Sequence, residues 1–358
     1  MPLLQPLQKS PKARNALSTT LLPVHKNTTR HHPFVVAILG PTASGKTALA
    51  VRLAKRLGAE VVSCDSRNFY KGLHALTSTP AGRWTDDGKT FTVDDAVPYH
   101  LVDFLDHRQR WDAQQYATAA REVLDDIFSR SRCAIVAGGS GFYWRALNQG
   151  LDEAPPVDDS LRRELNQRLN NEGLPALSEE LKRLDPKTHQ SIDRQNPRRV
   201  LRALELCRQL GRPLSEIRSG PKTEKNHFWP HAAFYLDWPR SALKQRIERR
   251  IRRFLGSMTE ELNGLKNKHG ESIRQWPVFE SLSAEPVWDM IHGRISREET
   301  VARSIKLEFA YARRQETWFK KEKNLVKISF NEESDRDERL MFERAEQIIM
   351  GKIPQPCR

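Results

Sequence analysis

The sequence GPTASGKT at residues 40–47 is the feature that most constrains the fold. It matches the pattern G-x-x-x-x-G-K-S/T, follows the β-branched run FVVAIL (34–39) and precedes the amphipathic ALAVRLAKRLG (48–58). Between a strand and a helix, such a loop turns its backbone N–H groups toward one anion, and the helix N-terminus adds partial positive charge. Lys46 adds a full charge, and the Thr47 hydroxyl can bind Mg²⁺. The predicted phosphate contacts are Gly40, Thr42, Ala43, Ser44, Gly45, Lys46 and Thr47.

Strands and helices alternate after this loop. AEVVSCD (59–65), CAIVAGG (133–139), HAAFYLDW (231–238) and LVKISF (325–330) have the apolar, β-branched composition of buried strands. Helical periodicity is found at 111–129, 197–211, 241–258 and 298–322. This alternation predicts an α/β fold with a P-loop NTPase-like parallel sheet flanked by helices.

Changes in composition suggest the domain boundaries. Residues 1–32 contain no acidic residue and read as a disordered basic arm, or alternatively as an organelle transit peptide. Residues 33–151 form the first part of the core, and 152–195 lose the β-branched runs and read as a small all-helical insert. Residues 196–330 complete the core with basic helices, and 331–358 form a C-terminal helix and tail. We expect a cytoplasmic protein, with organellar import as the less favoured alternative.

The charge balance bears on the partner. The 358 residues include 59 Lys and Arg against 45 Asp and Glu, a net charge of +14. Such an excess suggests a polyanionic partner, with nucleic acid the first candidate. No run approaches twenty apolar residues, so we expect no membrane span. The four cysteines form no C-x-x-C pair, which argues against a zinc site and against a disulfide framework.

The second strand ends on an unusual polar cluster, VVSCDSRNFYKG (61–72). A P-loop ATPase or kinase usually has a later strand ending in an acid that holds the metal. Here the later strand ends in Gly138-Gly139-Ser140-Gly141, and Asp65 is the nearest strong carboxylate. This arrangement argues weakly against a motor ATPase and favours group transfer to a small or nucleoside acceptor.

Five segments together resemble the tRNA dimethylallyltransferase (tRNA isopentenyltransferase) family. They are the loop with the following D-S-x-x-x-Y segment (40–72), VPYHLVD (97–103), AGGSGFYWRAL (137–147), NPRRVLRALE (196–205) and ARRQETWF (312–319). The resemblance runs in order from about residue 34 to 330, and five linked motifs are far more specific than a phosphate loop alone.

The resemblance implies transfer of a dimethylallyl group from dimethylallyl diphosphate to N6 of adenosine 37 in tRNA, with diphosphate as the leaving group. Asp65 matches the family's general base, and Ser140 matches a threonine that lines the site. Arg246 and Arg250 lie one helical turn apart and match the spacing of leaving-group contacts. Thr47, with Asp103, is the candidate ligand of a Mg²⁺ cofactor, although Asp103 could equally cap a helix.

The same resemblance implies an RNA interface. The helical insert would clasp the anticodon stem-loop of tRNA, and a flipped adenine would enter the site. The protein is expected to act as a monomer. The candidate tRNA-binding residues are Ser66, Arg67, Asn68, Tyr70, Arg198, Arg202, Arg313, Arg314 and Gln315.

The chain departs from the family pattern around the adenine pocket. Tyr99 replaces a usual histidine, and Glu308-Phe309 replaces a usual Thr-Arg pair. Leu76 and Thr79 lie in another altered segment, LHALTSTP (73–80). These changes affect the RNA substrate more than the reaction class. The alternatives are an ATP-dependent P-loop kinase of small molecules or nucleosides, and a non-catalytic tRNA-binding relative.

Overall fold

The computed structural model describes residues 33–131, 133–151, 158–217, 229–331 and 337–355. The arm predicted at 1–32 and Cys357 therefore lie outside the described residues. The other cysteines, Cys64, Cys133 and Cys207, are buried thiols.

Eight strands form one sheet within the described residues, in the order β3-β4-β5-β2-β6-β1-β7-β8. The strands are β1 (Phe34–Leu39), β2 (Glu60–Ser63), β3 (Gly82–Trp84), β4 (Phe91–Val93), β5 (Val97–His100), β6 (Cys133–Gly138), β7 (His231–Asp237) and β8 (Leu325–Ser329). From β5 to β8 every pair is parallel, which confirms the predicted core sheet. The edge formed by β3 and β4 is antiparallel, so the sheet is mixed rather than fully parallel.

Helices cover the faces of this sheet and form the region between β6 and β7. They are α1 (Lys46–Leu57), α2 (His74–Thr77), α3 (Ala113–Arg130), α4 (Gly141–Gln149), α5 (Asp159–Leu184), α6 (Pro186–Ser191), α7 (Pro197–Leu210), α8 (Leu214–Ile217), α9 (Arg240–His269), α10 (Ala284–Ile291), α11 (Arg297–Phe319) and α12 (Glu338–Lys352). Among the described helices, none combines the length and the apolar character that a membrane crossing requires.

Two helix boundaries differ from the sequence-based prediction for clear reasons. α3 begins at Ala113 because Asp112 caps it: its carboxylate accepts from the N–H groups of Gln114 and Gln115, in a capping box. α9 continues eleven residues past the predicted end at 258, because Leu262 and Leu265 extend its buried stripe.

The helical insert has a hydrophobic core of its own. Leu165, Leu177 and Leu181 of α5 are buried against Val200 and Leu204 of α7, in a cluster separate from the one around the sheet. The insert boundary predicted at residue 195 is therefore too early, since α7 and Leu214 belong to this second cluster. The amphipathic pattern of α7 identified a helix but could not show which core it faces.

Glu60 ties together three elements at the start of β2. Its Oε2 accepts from His100 Nε2 of β5 at 2.6 Å, and Arg130 of α3 donates to Oε1 at 2.8 Å and to Oε2 at 3.0 Å. Burial raises the pKa of Glu60, but the hydrogen bonds from His100 and Arg130 outweigh it and lower that pKa to about 2.

Glu60→Gln should lower the free energy of unfolding by about 2 kcal/mol, because a charged acceptor shared by two elements is lost. Since the pKa is lower in the folded state, this stability is present above the unfolded pKa and is lost as the pH falls toward about 2. Urea denaturation at pH 7 and at pH 3 measures both effects. Asp126→Asn, which removes an exposed partner of Arg130, is the matched control and should cost clearly less. Equal losses in the two variants would contradict the prediction.

Candidate active site

The phosphate loop, the end of β2 and the basic face of α9 line one cavity of about 1250 Å³. Lys46 and Thr47 lie on this cavity together with Asp65, Arg246 and Arg250. The loop backbone takes left-handed conformations at Ala43 (φ 61°) and Gly45 (φ 88°), which curl it toward the cavity. The structure thus brings the predicted phosphate contacts together with the predicted general base, except Gly40, which does not line the cavity.

Lys46 is partly buried at the loop and lines the cavity. Its Nζ donates to the Pro41 carbonyl at 2.6 Å. Burial lowers the pKa of Lys46 to about 8, although the Asp65 carboxylate acts in the opposite direction. A bound phosphate would place a negative charge beside this ammonium, so the site favours an anion.

Arg246 holds the loop from the opposite side. Its Nε donates to the Ala43 carbonyl at 2.8 Å, and its guanidinium lies 4.6 Å from the centre of the Trp238 ring. Trp238 Nε1 in turn donates to the Ser44 carbonyl at 3.1 Å. These contacts fix the guanidinium beside the loop, and its contact with a diphosphate stays a prediction.

Arg250 is paired with an acid inside the cavity. Its Nη2 donates to Glu308 Oε2, and Glu308 Oε1 accepts from Ser283 Oγ at 3.2 Å. The Arg250 Nε is buried and has no partner among the described residues, so a phosphate oxygen could satisfy it. Glu308 was noted in the sequence only as a departure, and its pairing with a residue 58 positions away carries no local signal.

Asp65 lies at the cavity with its carboxylate oriented by the backbone. Its Oδ1 accepts from the Arg67 N–H at 2.9 Å, while Ser66 N donates to Ser140 Oγ at 3.0 Å. Ser140 does not line the cavity and so acts by positioning the segment that carries Asp65.

Tyr311 is a cavity residue that the sequence reasoning missed. Burial raises its pKa to about 12, the Asp65 charge adds to that rise, and a hydrogen bond with Ser140 opposes it. Its position in the sequence could have identified it, because Tyr311 lies four residues before Gln315 and therefore on the same face of α11.

Gln315 clamps the loop to the end of β6. Its Oε1 accepts from Thr42 N at 2.8 Å and its Nε2 donates to the Gly139 carbonyl at 2.9 Å. A Cβ on Gly139 would lie 2.2 Å from Gln315 Nε2, which explains the glycine where an acid might stand. Gln315 is therefore a buried structural residue and not a tRNA contact. The Thr42 N–H, a predicted phosphate contact, already donates to Gln315.

Gln315→Ala should lower the free energy of unfolding by about 2 kcal/mol and raise the KM for a diphosphate donor about tenfold, because Thr42 N–H and Gly139 C=O lose their buried partner. Urea denaturation and steady-state kinetics measure the two effects. Thr317→Ala, on the exposed side of the same helix, is the control and should change neither. An unchanged donor KM in Gln315→Ala would refute the clamp.

Two further predicted site residues lie away from the cavity. Tyr70 is 2% exposed, and its hydroxyl donates to the Gln109 carbonyl at 3.2 Å, so it belongs to the core and not to an RNA surface. Asp103 accepts from Gly72 N at 2.7 Å, His74 Nε2 at 2.8 Å and Trp84 Nε1 at 2.8 Å. With both oxygens engaged and no place on the cavity, Asp103 fits a structural role rather than a metal ligand.

The cavity nevertheless has a donor set that fits Mg²⁺. Mg²⁺ is usually held by one or two protein oxygens, the phosphates of a ligand and several waters. The Thr47 hydroxyl lines the cavity and is an oxygen donor of this kind. The described residues contain no cluster of three or more His, Cys, Asp or Glu suited to a metal.

The other predicted RNA contacts lie in different surroundings. Arg67 and Asn68 line the cavity, and Ser66 lies beside them in the chain. Arg202 is paired with Glu205 at 3.4 Å, and Arg313 and Arg314 are exposed on α11. Their part in RNA binding stays a prediction.

Family models match most of the chain. The model described as IPP transferase matches residues 69–322, and the one described as isopentenyl transferase matches 33–87. The tRNA dimethylallyltransferase of Cytophaga hutchinsonii is 36% identical over 291 residues, 81% of this chain and 90% of that protein. That of Anaeromyxobacter dehalogenans is 37% identical over 296 residues, 82% of this chain and 94% of that protein.

Solved structures agree. The tRNA isopentenylpyrophosphate transferase of Bacillus halodurans matches with a TM-score of 0.59 and 28% identity, over 89% of this chain and 96% of that one. A eukaryotic dimethylallyltransferase acting on tRNA matches with a TM-score of 0.69 over 90% of this chain and 81% of that one. At 19% identity, the second likeness concerns the fold alone. Together with the family models and the relatives, the shared fold makes this chain a member of the tRNA dimethylallyltransferase (IPP transferase) family.

Proposed function

We propose that this protein transfers a dimethylallyl group from dimethylallyl diphosphate to N6 of adenosine 37 in tRNA. The observation that carries the proposal is the single cavity shared by the phosphate loop, the two arginines of α9 and the Asp65 carboxylate. One side of such a cavity suits a leaving diphosphate, and the other suits an acceptor that must lose a proton. The chain's relatives are named for this activity.

The donor side stabilises departing charge. As the carbon–oxygen bond breaks, negative charge develops on the diphosphate, and Lys46 and the guanidinium groups of Arg246 and Arg250 oppose it. Mg²⁺ held by Thr47 would neutralise further charge on the diphosphate. Leu76, Phe254 and Leu282 line the same cavity and supply apolar surface for the five-carbon group.

The acceptor side removes a proton. The adenine N6 lone pair is delocalised into the ring, so the amine is a weak nucleophile until the allylic carbon gains cationic character. The N6–carbon bond forms as the carbon–oxygen bond breaks, and Asp65 accepts the proton from N6. The hydrogen bond from Arg67 N holds Oδ1 and leaves Oδ2 for that proton.

The test is an incubation of the full chain with dimethylallyl diphosphate, Mg²⁺ and unmodified tRNA carrying A36-A37-A38. Mass spectrometry of the digested tRNA should show one added prenyl group on adenosine 37. A tRNA with guanosine at position 37 is the control and should gain no mass. ATP hydrolysis without a prenylated product would instead identify a kinase-like enzyme and reject the proposal.

A further inference from the structure

Three arginines from three separate elements converge on Glu280, the last residue of the 3₁₀ turn Pro277–Glu280. Arg67, after β2, lies with Nη2 3.5 Å from Glu280 Oε2. Arg110 precedes α3, and its Nη1 is 2.5 Å from Glu280 Oε1. Arg198 lies in the first turn of α7, and its Nη2 is 3.7 Å from Glu280 Oε2. One carboxylate thus faces three guanidinium groups, which leaves two positive charges in excess.

Stability alone does not account for this arrangement. The side chains of Arg110 and Arg198 are 58% and 85% exposed, and exposed ion pairs contribute little to folding. Burial raises the pKa of Glu280, but the guanidinium groups of Arg110, Arg67 and Arg198 outweigh burial and lower it, so the carboxylate is charged at neutral pH.

The position of the cluster connects the cavity to the helical insert. Arg67 and Ser281, the residue after Glu280, both line the cavity, whereas Arg198 lies on the helix whose buried face belongs to the insert core. The arginines therefore mark a path from the proposed entry of the adenine to the proposed stem-binding region. An RNA backbone running along this path would pass over Glu280.

We propose that Glu280 occupies, in the free protein, the place of an RNA backbone phosphate, and that tRNA binding displaces it. The inference rests on the proposed function for the identity of the RNA. A phosphodiester, like a carboxylate, presents two anionic oxygens that a guanidinium group can bind together, so Arg67, Arg110 and Arg198 can exchange one acceptor for the other. In the free protein the Glu280 carboxylate holds the three arginines close together. Because RNA must displace this carboxylate, it also weakens RNA binding.

Glu280→Gln should therefore bind unmodified tRNA several-fold more tightly than the native protein. The slope of log K against log salt should become steeper by up to about 0.7, the value for one added single-strand phosphate contact. Asp126→Asn is the matched control: it adds the same net charge but lies near Glu60, at the start of β2, and should leave binding unchanged. Arg198→Gln should weaken binding and flatten the slope, and this loss should be larger when combined with Glu280→Gln, because there Arg198 has no carboxylate pair to give up when RNA binds.

Filter-binding titrations of the full chain from 50 to 300 mM NaCl give both quantities, and melting temperatures check that each variant folds. The proposed role of Glu280 would be overturned if Glu280→Gln bound tRNA no more tightly than Asp126→Asn, or more weakly than the native protein. These titrations need no turnover, so they separate this inference from the proposed reaction. If the native protein modifies tRNA but Glu280→Gln binds tRNA no better than Asp126→Asn, only the proposed role of Glu280 is rejected. If the native protein does not bind tRNA at all, both this role and the proposed function are rejected.

Discussion

Asp65→Asn should lower the rate of prenyl transfer by about 10²- to 10⁴-fold while leaving tRNA and donor affinity nearly unchanged. Asparagine keeps an oxygen that can accept from Arg67 N, so the local backbone should hold its shape. It cannot take the proton from the adenine N6. Single-turnover rates with saturating donor and tRNA, together with Kd values for both, separate the chemical step from binding.

Ser140→Ala serves as the comparison for Asp65→Asn. It removes the acceptor of Ser66 N but no group that lines the cavity, so the rate should fall far less. A native-like rate in Asp65→Asn would show that another group or a water takes the proton. An equal loss in both variants would show that Asp65 acts through the position of its segment.

Lys46→Met should lower the transfer rate by about 10²- to 10³-fold and raise the KM for dimethylallyl diphosphate. Methionine fills a similar volume but cannot offset the charge of the departing diphosphate. Because the native ammonium lies in the cavity and is only partly exposed, water screens its interaction with the phosphates less than it screens an exposed charge, which makes its loss large. Steady-state kinetics at saturating tRNA give both parameters.

Arg52→Met is the control for Lys46→Met. Arg52 lines the same cavity, but its side chain is 40% exposed and is paired with Glu346 at 2.8 Å. Its removal should change the rate only a few-fold, since exposed charges are screened. If both variants lose the same activity, the cavity responds to its overall charge and not to the Lys46 ammonium at the loop.

The parts of the site that could be predicted from the sequence are contiguous. The loop at 40–47 and Asp65 lie next to strands with strong β-branched composition, and parallel strands of one sheet bring their carboxyl ends to one edge. Arg246 and Arg250 came from the family resemblance, and helical spacing adds only that both lie on one face of α9. For the loop and Asp65, a local pattern and one rule of packing were sufficient.

The parts that could not be predicted depend on contacts between distant segments. Gln315 reaches Thr42 across 273 positions, and its burial is fixed by how α11 lies on the end of β6. Arg250 of α9 pairs with Glu308 of α11. The relative orientation of these two helices cannot be read from the sequence of either one. Tyr70 was misassigned because polar neighbours suggested a surface, whereas its ring packs against Phe69, with the ring centres 4.8 Å apart.

The separate core of the helical insert has a consequence for divergence within the family. Leu165, Leu177 and Leu204 bury one another rather than the side chains of the sheet, so substitutions among them leave the register of the strands alone. A segment with its own core can be lengthened, shortened or exchanged as a block. The portion proposed to meet the anticodon stem can thus change at its own evolutionary rate, while the geometry around Lys46 and Asp65 stays fixed.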